Sequence, residues 1–170
     1  MARFGVLTVL WCICVGWSGA ALAAEKVIGT IAPGGGGETA IFAGGCFWCV
    51  EQAFDDVAGV LETTSGYTGG TVANPTYEQV AAGGTRSAGA VLVRYDPDKV
   101  TYPKLLDVFW RNIDPLDGGG QFCDRGDSYR SEVFDMGSTQ KAEAQASKVA
   151  VEKRLGKTVA TKIVPAASFY

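Results

Sequence analysis

The chain has 170 residues, 47% of them hydrophobic, and a formal net charge of −3, which is enough for one ordinary domain with a real core and too little for two. The acidic balance argues against a nucleic-acid or anionic-membrane partner. With no histidine in the sequence, His-dependent zinc sites and Ser-His or Cys-His dyads are excluded.

Residues 1–23 read as a signal peptide, with Arg3 as the leading charge, an apolar run from Phe4 to Trp17, and Ala21-Leu22-Ala23 as a small-residue cleavage site. The competing reading is an uncleaved membrane anchor, since Phe4 to Ala24 is just long enough to span a bilayer. Cleavage would place the protein in the periplasm or outside the cell, with a net charge of −4 and three cysteines, Cys46, Cys49 and Cys123. An odd number there suggests a redox couple or a free thiol rather than a closed disulfide framework. A Cys-x-x-Cys zinc half-site would need a second pair, and only Cys123 remains. Residues 24–38 form a Gly-rich linker, and 39–170 form the domain.

Ala40-Ile41-Phe42-Ala43 is short, apolar and β-prone, and Gly44-Gly45 then allows a sharp turn. Phe47, Val50, Phe54 and Val57 recur at helical spacing. Gly59 to Tyr67 predicts a strand running into the loop Gly66-Tyr67-Thr68-Gly69-Gly70. Asn74-Pro75 opens a short helical turn through Val80 that carries Tyr77. Ala88 to Tyr95 is apolar on both alternating faces until Arg94, as a central strand requires, and Asp96-Pro97 ends it. Thr101 to Ile113 is a predicted helix with Thr101 as its cap. Asp114 to Ser128 is Gly- and Asp-rich without a period, so it reads as a long loop of the kind that often carries function. A strand over Tyr129 to Met136, a helix capped by Ser138 and ending near Gly156, and a strand over Thr158 to Val164 complete the chain. The class is α/β or α+β in two layers, a mixed sheet with packed helices and a ferredoxin-like core.

The strand-to-helix change falls at Cys46, and a thiol at a helix N-terminus meets unpaired N–H groups and the positive end of the macrodipole, which favours the nucleophilic thiolate. The alternative is a buried structural cysteine. Phe47 lies in register with the core face of its helix, whereas Trp48 points elsewhere and is harder to explain by packing.

Five collinear blocks carry a family resemblance. They are Gly44-Gly45-Cys46-Phe47-Trp48-Cys49-Val50-Glu51, Ser65-Gly66-Tyr67-Thr68-Gly69-Gly70, Asn74-Pro75-Thr76-Tyr77, Phe109-Trp110-Arg111-Asn112-Ile113-Asp114-Pro115, and Phe122-Cys123-Asp124-Arg125-Gly126 leading to Ser128-Tyr129-Arg130-Ser131. Over residues 39–170 the chain resembles the peptide methionine sulfoxide reductases of the A type. The resemblance implies thiol-dependent reduction of methionine S-sulfoxide, free or in proteins, through a sulfenic acid on Cys46 and then a disulfide. Cys49 and Cys123 are the two available resolving thiols. A thioredoxin-like or other external dithiol would regenerate the enzyme, with no metal or organic cofactor, and a monomer is expected. By the same resemblance Phe47 and Trp48 wall the substrate methyl group, while Tyr77, Asp124 and Tyr129 bind the sulfoxide oxygen or position the site.

Two departures stand out. Arg86-Ser87-Ala88-Gly89-Ala90-Val91 occupies the segment where the family reads Gly-His-Ala-Glu-Ala-Val, so Gly89 replaces the glutamate that protonates the oxygen. Losing a positioned general acid costs on the order of 10²–10⁴ in rate. The sequence also stops at Phe169-Tyr170, whereas relatives commonly continue. The readings that remain are a working or weakened reductase, a general thiol-disulfide oxidoreductase using Cys46 and Cys49, and a non-catalytic binder of oxidised methionine.

Overall fold

A computed structural model describes residues 36–170, so the signal peptide and most of the linker expected from the sequence lie outside the described residues. The elements in chain order are β1 (Glu38–Gly44), α1 (Phe47–Asp55), β2 (Val60–Thr68), α2 (Tyr77–Ala81), β3 (Ala88–Tyr95), α3 (Tyr102–Arg111), β4 (Gly120–Gln121), β5 (Asp124–Arg125), β6 (Ser131–Asp135), α4 (Ser138–Leu155) and β7 (Lys162–Pro165). A single 3-10 turn, Asp127–Tyr129, precedes β6.

Five strands form one sheet in the order β2-β3-β1-β6-β7. The first four pair antiparallel and β7 joins β6 in parallel, which makes the sheet mixed. The segments β1-α1-β2 and β3-α3-β6 are interleaved split βαβ units, and this is the ferredoxin-like arrangement expected from the sequence.

Period-2 alternation divides the apolar residues of the central strands between two cores. Ala40, Phe42, Val91, Val93, Tyr95 and Val133 face α1, α3 and α4, and there Phe42 stacks on Phe54 at 5.0 Å and on Phe109 at 5.3 Å. Ile41, Ala43, Ala88, Ala90 and Phe134 line the opposite face, which Phe169 covers. The final residues lie against β2: the Tyr67 N–H donates to the Tyr170 carbonyl at 2.8 Å, and the Tyr170 N–H donates to Tyr67 at 2.9 Å.

The differences from the sequence expectations are local and have causes. Gly137, at φ 151°, is the residue preceding the first turn of α4, so Ser138 is the first helical residue rather than the cap. Thr101 occupies the cap position of α3 without a side-chain cap bond, and Pro103 in the first turn helps set the helix start. Pro75 precedes the cap of α2. That cap is Thr76, which accepts from Gln79 N at 3.3 Å while Gln79 Oε1 accepts from Thr76 N at 2.9 Å. The loop from Asp114 holds the short β4–β5 hairpin, whose pairs Gly120↔Arg125 and Gln121↔Asp124 are too brief to leave a period in the sequence.

Truncating Phe42 to alanine removes the ring on which Phe54, Tyr102 and Phe109 all stack. The expected loss is about 3–5 kcal/mol in urea unfolding, and a loss below about 1 kcal/mol would show that this stack is not the centre of the core.

Candidate active site

The site forms where β1 ends. Gly44 lies beneath Ile113 and Val50, and a Cβ built on it would meet Ile113 Cγ2 at 2.8 Å. Gly45 has φ +92°, and its Cβ would lie 2.6 Å from Gln121 Cβ. The turn therefore requires glycine twice, once for space and once for both space and backbone conformation. Gln121 is fully buried and anchors the long loop. Its Oε1 accepts from Asp114 N at 2.7 Å, and its Nε2 donates to the carbonyls of Asp114 at 3.0 Å and Asp117 at 3.3 Å. Sequence reading passed over Gln121, because an isolated glutamine in a loop carries no periodic signal.

This packing brings Cys46 to the mouth of α1 as its N-cap residue, with extended backbone. Its carbonyl accepts the N–H groups of Cys49 at 3.0 Å and Val50 at 3.2 Å. Its side chain caps no backbone N–H of that helix. Cys46 is half-buried, while Cys49, one turn on, is exposed. The Cys46 sulfur acts on Cys49 first as a hydrogen-bond partner and then as a charge. With partial burial and the Asp124 carboxylate, it pushes the Cys49 thiol above its ordinary range. Cys49 therefore keeps its proton to higher pH than a free thiol. Cys123 is also exposed, at the turn of the β4–β5 hairpin next to Phe122, whose φ is +51°.

Beside Cys46 a hollow of ≈ 300 Å³, open to solvent, is lined by Gly45, Phe47, Tyr67, Tyr77, Gly89 and Tyr129, among others. Phe47 both packs on the helix-side core and walls this hollow, with its ring 5.7 Å from Tyr67. Trp48 stacks on Phe47 at 5.5 Å but is 65% exposed and lies outside the hollow's lining. Tyr77 is 57% exposed. Burial first, then the Asp124 charge, Tyr77 and Cys46, raise the Tyr129 hydroxyl above its usual range. Burial, followed by Tyr77, Tyr129 and Glu78, does the same for Tyr67. Tyrosines shifted this way remain protonated and able to donate through the neutral range.

Of the residues singled out from the sequence, Phe47, Tyr77 and Tyr129 thus share one hollow with Cys46 at its edge, and Asp124 is close enough to act on both Cys49 and Tyr129. Tyr67 is an addition. It stands in a quoted motif and pairs with Gly89 across β2 and β3, a neighbour relation that exists only once the strands register. Glu51, on the outer edge of α1, accepts from Ser65 Oγ at 2.9 Å.

Gly89 faces the hollow. The nearest neighbours of a Cβ built there are Ser128 O at 3.6 Å, Gly45 O at 3.7 Å and Phe47 Cγ at 3.9 Å, which are ordinary contacts. The glycine is therefore not enforced by crowding. No group of His, Cys, Asp and Glu among the described residues is arranged to hold a metal ion.

Two thiols one helical turn apart, beside an aromatic hollow on a ferredoxin-like sheet, are the arrangement expected of a thiol-based redox protein. The comparisons narrow the class. The sequence model of the peptide methionine sulfoxide reductase family matches residues 38–170. The chain is 52% identical to the peptide methionine sulfoxide reductase MsrA 2 of Rhizobium meliloti over 77% of its own length and 65% of that relative's. It is 49% identical to the MsrA 2 of Caulobacter vibrioides over 100% of its length and 82% of the relative's. Methionine sulfoxide reductase A of Corynebacterium diphtheriae superposes with a TM-score of 0.77 at 32% identity, covering 85% of this chain and 74% of the other. Reduced Mxr1 of Saccharomyces cerevisiae superposes with a TM-score of 0.75 at 28% identity, covering 79% of each chain. The chain belongs to the peptide methionine sulfoxide reductase family, A type. It spans about two thirds of the length of the Rhizobium relative.

The influence of Cys46 on Cys49 can be measured directly. In Cys46→Ala the Cys49 thiol loses the partner that holds its proton, so its pKa falls and its alkylation at pH 8, followed by site-resolved mass spectrometry, speeds up. An unchanged alkylation profile would mean that the two thiols do not interact.

Proposed function

We propose that the protein reduces methionine S-sulfoxide, free or in polypeptides, with Cys46 as nucleophile. The reading rests above all on a single observation: Cys46 stands at the edge of the tyrosine-lined hollow with Cys49 as its thiol partner. The Cys46 thiolate attacks the sulfoxide sulfur, the S–O bond to methionine breaks, and the oxygen leaves on Cys46 as a sulfenic acid while methionine is released. One proton, the equivalent of the one lost by the thiol, must reach that oxygen. Attack by Cys49 on the sulfenic sulfur then forms a disulfide and expels water, and an external dithiol reduces the disulfide by exchange. Cys49 is the better resolving thiol than Cys123, because Cys46 acts on it directly.

In this reading Phe47, with Trp48 stacked on it, walls the substrate methyl group. Tyr77 and Tyr129, joined by Tyr67, hydrogen-bond the oxygen, and Asp124 orients Tyr129. The glutamate that the family places at position 89 is absent, so the tyrosines and water deliver the proton, at reduced rate. A thioredoxin-like protein is the proposed donor. Mxr1 is known in complex with Trx2, a structure sharing this fold at 23% identity and a TM-score of 0.60, and exposed Cys49 is open to such a partner. The N-terminal composition supports export, with the enzyme acting as a monomer in the periplasm or outside the cell.

A second reading, a binder of oxidised methionine without turnover, is favoured by one observation, the absence of a carboxyl at Gly89 in the hollow's wall. Turnover of the two sulfoxide epimers with excess dithiothreitol separates the readings. We expect slow reduction of the S epimer only, about 10²-fold faster with Gly89→Glu, and none with Cys46→Ser. Methionine release by Cys46→Ser would contradict the proposal. So would the absence of release from both the native chain and Gly89→Glu, while sulfoxide binding without release would leave the binder.

A further inference from the structure

A second hollow of ≈ 480 Å³ adjoins the first and shares Val80, Ala81, Ser128 and Tyr129 with it as a common wall. Its far side is built from Gly83, Gly84, Arg86, Arg125 and Asp127. A ligand seated in the first hollow therefore has the second as its immediate neighbour across that wall.

Arg130 holds these walls together. Its Nη2 donates to the Arg86 carbonyl at 3.0 Å and its Nη1 to the Asp127 carbonyl at 2.8 Å, while its Nε pairs with Glu132 at 2.9 Å. The carbonyl bond fixes Arg86 at φ +59°, a conformation uncommon for a residue with a side chain. Three charged side chains line the hollow, and two of them are already matched. Arg125 pairs with Asp117 at 2.6 Å, and Asp127 faces Arg130 at 3.4 Å. The exposed Arg86 guanidinium has no ion pair and no hydrogen bond among the described residues. Gly83 and Gly84 have nothing within 4 Å of their Cβ positions, so a second backbone can approach closely.

We propose that this hollow is the subsite for the polypeptide flanking the oxidised methionine, and that Arg86 recognises a carboxylate on an acidic side chain near it. The inference rests on the proposed function and adds a substrate preference to it. A planar, permanently charged guanidinium suits a carboxylate, and a partly exposed pair of this kind favours binding by a few fold, less in high salt.

The test measures equilibrium binding rather than turnover, so the two proposals fail separately. C-terminally amidated pentapeptides with a central methionine S-sulfoxide, flanked by Glu, Ala or Lys, are titrated into Cys46→Ser and followed by tryptophan fluorescence or calorimetry. Amidation removes the terminal carboxylate, and a free-acid Ala peptide reports separately on binding of a chain end. The expected order is Glu, then Ala, then Lys, with about two- to fivefold between Glu and Ala at low salt and a smaller gap at high salt. Arg86→Gly, which suits the positive φ, collapses the order, and Arg86→Lys restores most of it. Equal affinity for the three amidated peptides, or an order that survives Arg86→Gly, overturns the subsite while leaving the sulfoxide reading standing. Tighter binding of the free-acid Ala peptide than of the Glu peptide overturns side-chain recognition in favour of a chain end. Failure of every sulfoxide peptide to bind overturns both.

Discussion

The site depends on the absence of side chains at Gly44 and Gly45. A Cβ on the first would drive into Ile113, and one on the second into Gln121 at 2.6 Å. Because β1 can end so close to the loop that Gln121 organises, Cys46 heads α1 between Gly45 and Phe47, two residues that line the tyrosine hollow. The same approach sets the β4–β5 hairpin, and with it Asp124, beside the second thiol. Sheet order then supplies the remaining wall, since β3 lies between β2 and β1 and brings Tyr67 opposite Gly89. Side chains from four separate stretches of chain thus converge because one backbone turn is tight.

The chemistry divides into an electron part and a proton part. On the proposed reading the electron part falls to Cys46 and Cys49, two thiols at one helix mouth, of which Cys49 is biased to stay protonated. In that reading a protonated Cys49 does not compete as a nucleophile for the sulfoxide. Conversion of Cys46 to a neutral sulfenic acid removes the charge that raised Cys49, so that it can lose its proton and attack as the thiolate. The proton part is thinner. Tyr67 and Tyr129 are held protonated by burial and by neighbouring charges, and no carboxyl stands at position 89, although a Cβ there would make only ordinary contacts with its nearest neighbours. The proposed mechanism therefore keeps both thiols of the redox couple and leaves proton delivery to weaker acids.

Much of this was legible in the sequence, and the exceptions have physical reasons. The bounds of β3 agree residue for residue with the sequence expectation, because a strand covered on both faces stays apolar as far as Arg94. Cys46 at a strand-to-helix change was visible because periodicity changes there and two glycines mark the turn. Ser138 was misplaced by one residue, since Ser is a good cap in isolation while the chain uses Gly137 at φ 151°. The β4–β5 hairpin, Gln121 and Tyr67 were not legible as parts of one site. Their roles come from contacts between segments far apart in sequence, and short polar segments leave no pattern. Phe47 shows the opposite case: helical spacing assigned it to the core, and it serves the core and the hollow at once.

The central claim is that Cys46 and Cys49 form one redox couple fed by a sulfoxide in the adjoining hollow. Its most direct test is a single turnover without reductant, in which the fully reduced protein is mixed with excess methionine S-sulfoxide and then quenched by alkylation for mass spectrometry. The account predicts about one methionine released per chain together with a Cys46–Cys49 disulfide, and in Cys49→Ser a sulfenic acid on Cys46 that dimedone traps. Release of methionine with Cys46 still alkylatable, or a first disulfide that leaves out Cys46, would contradict it.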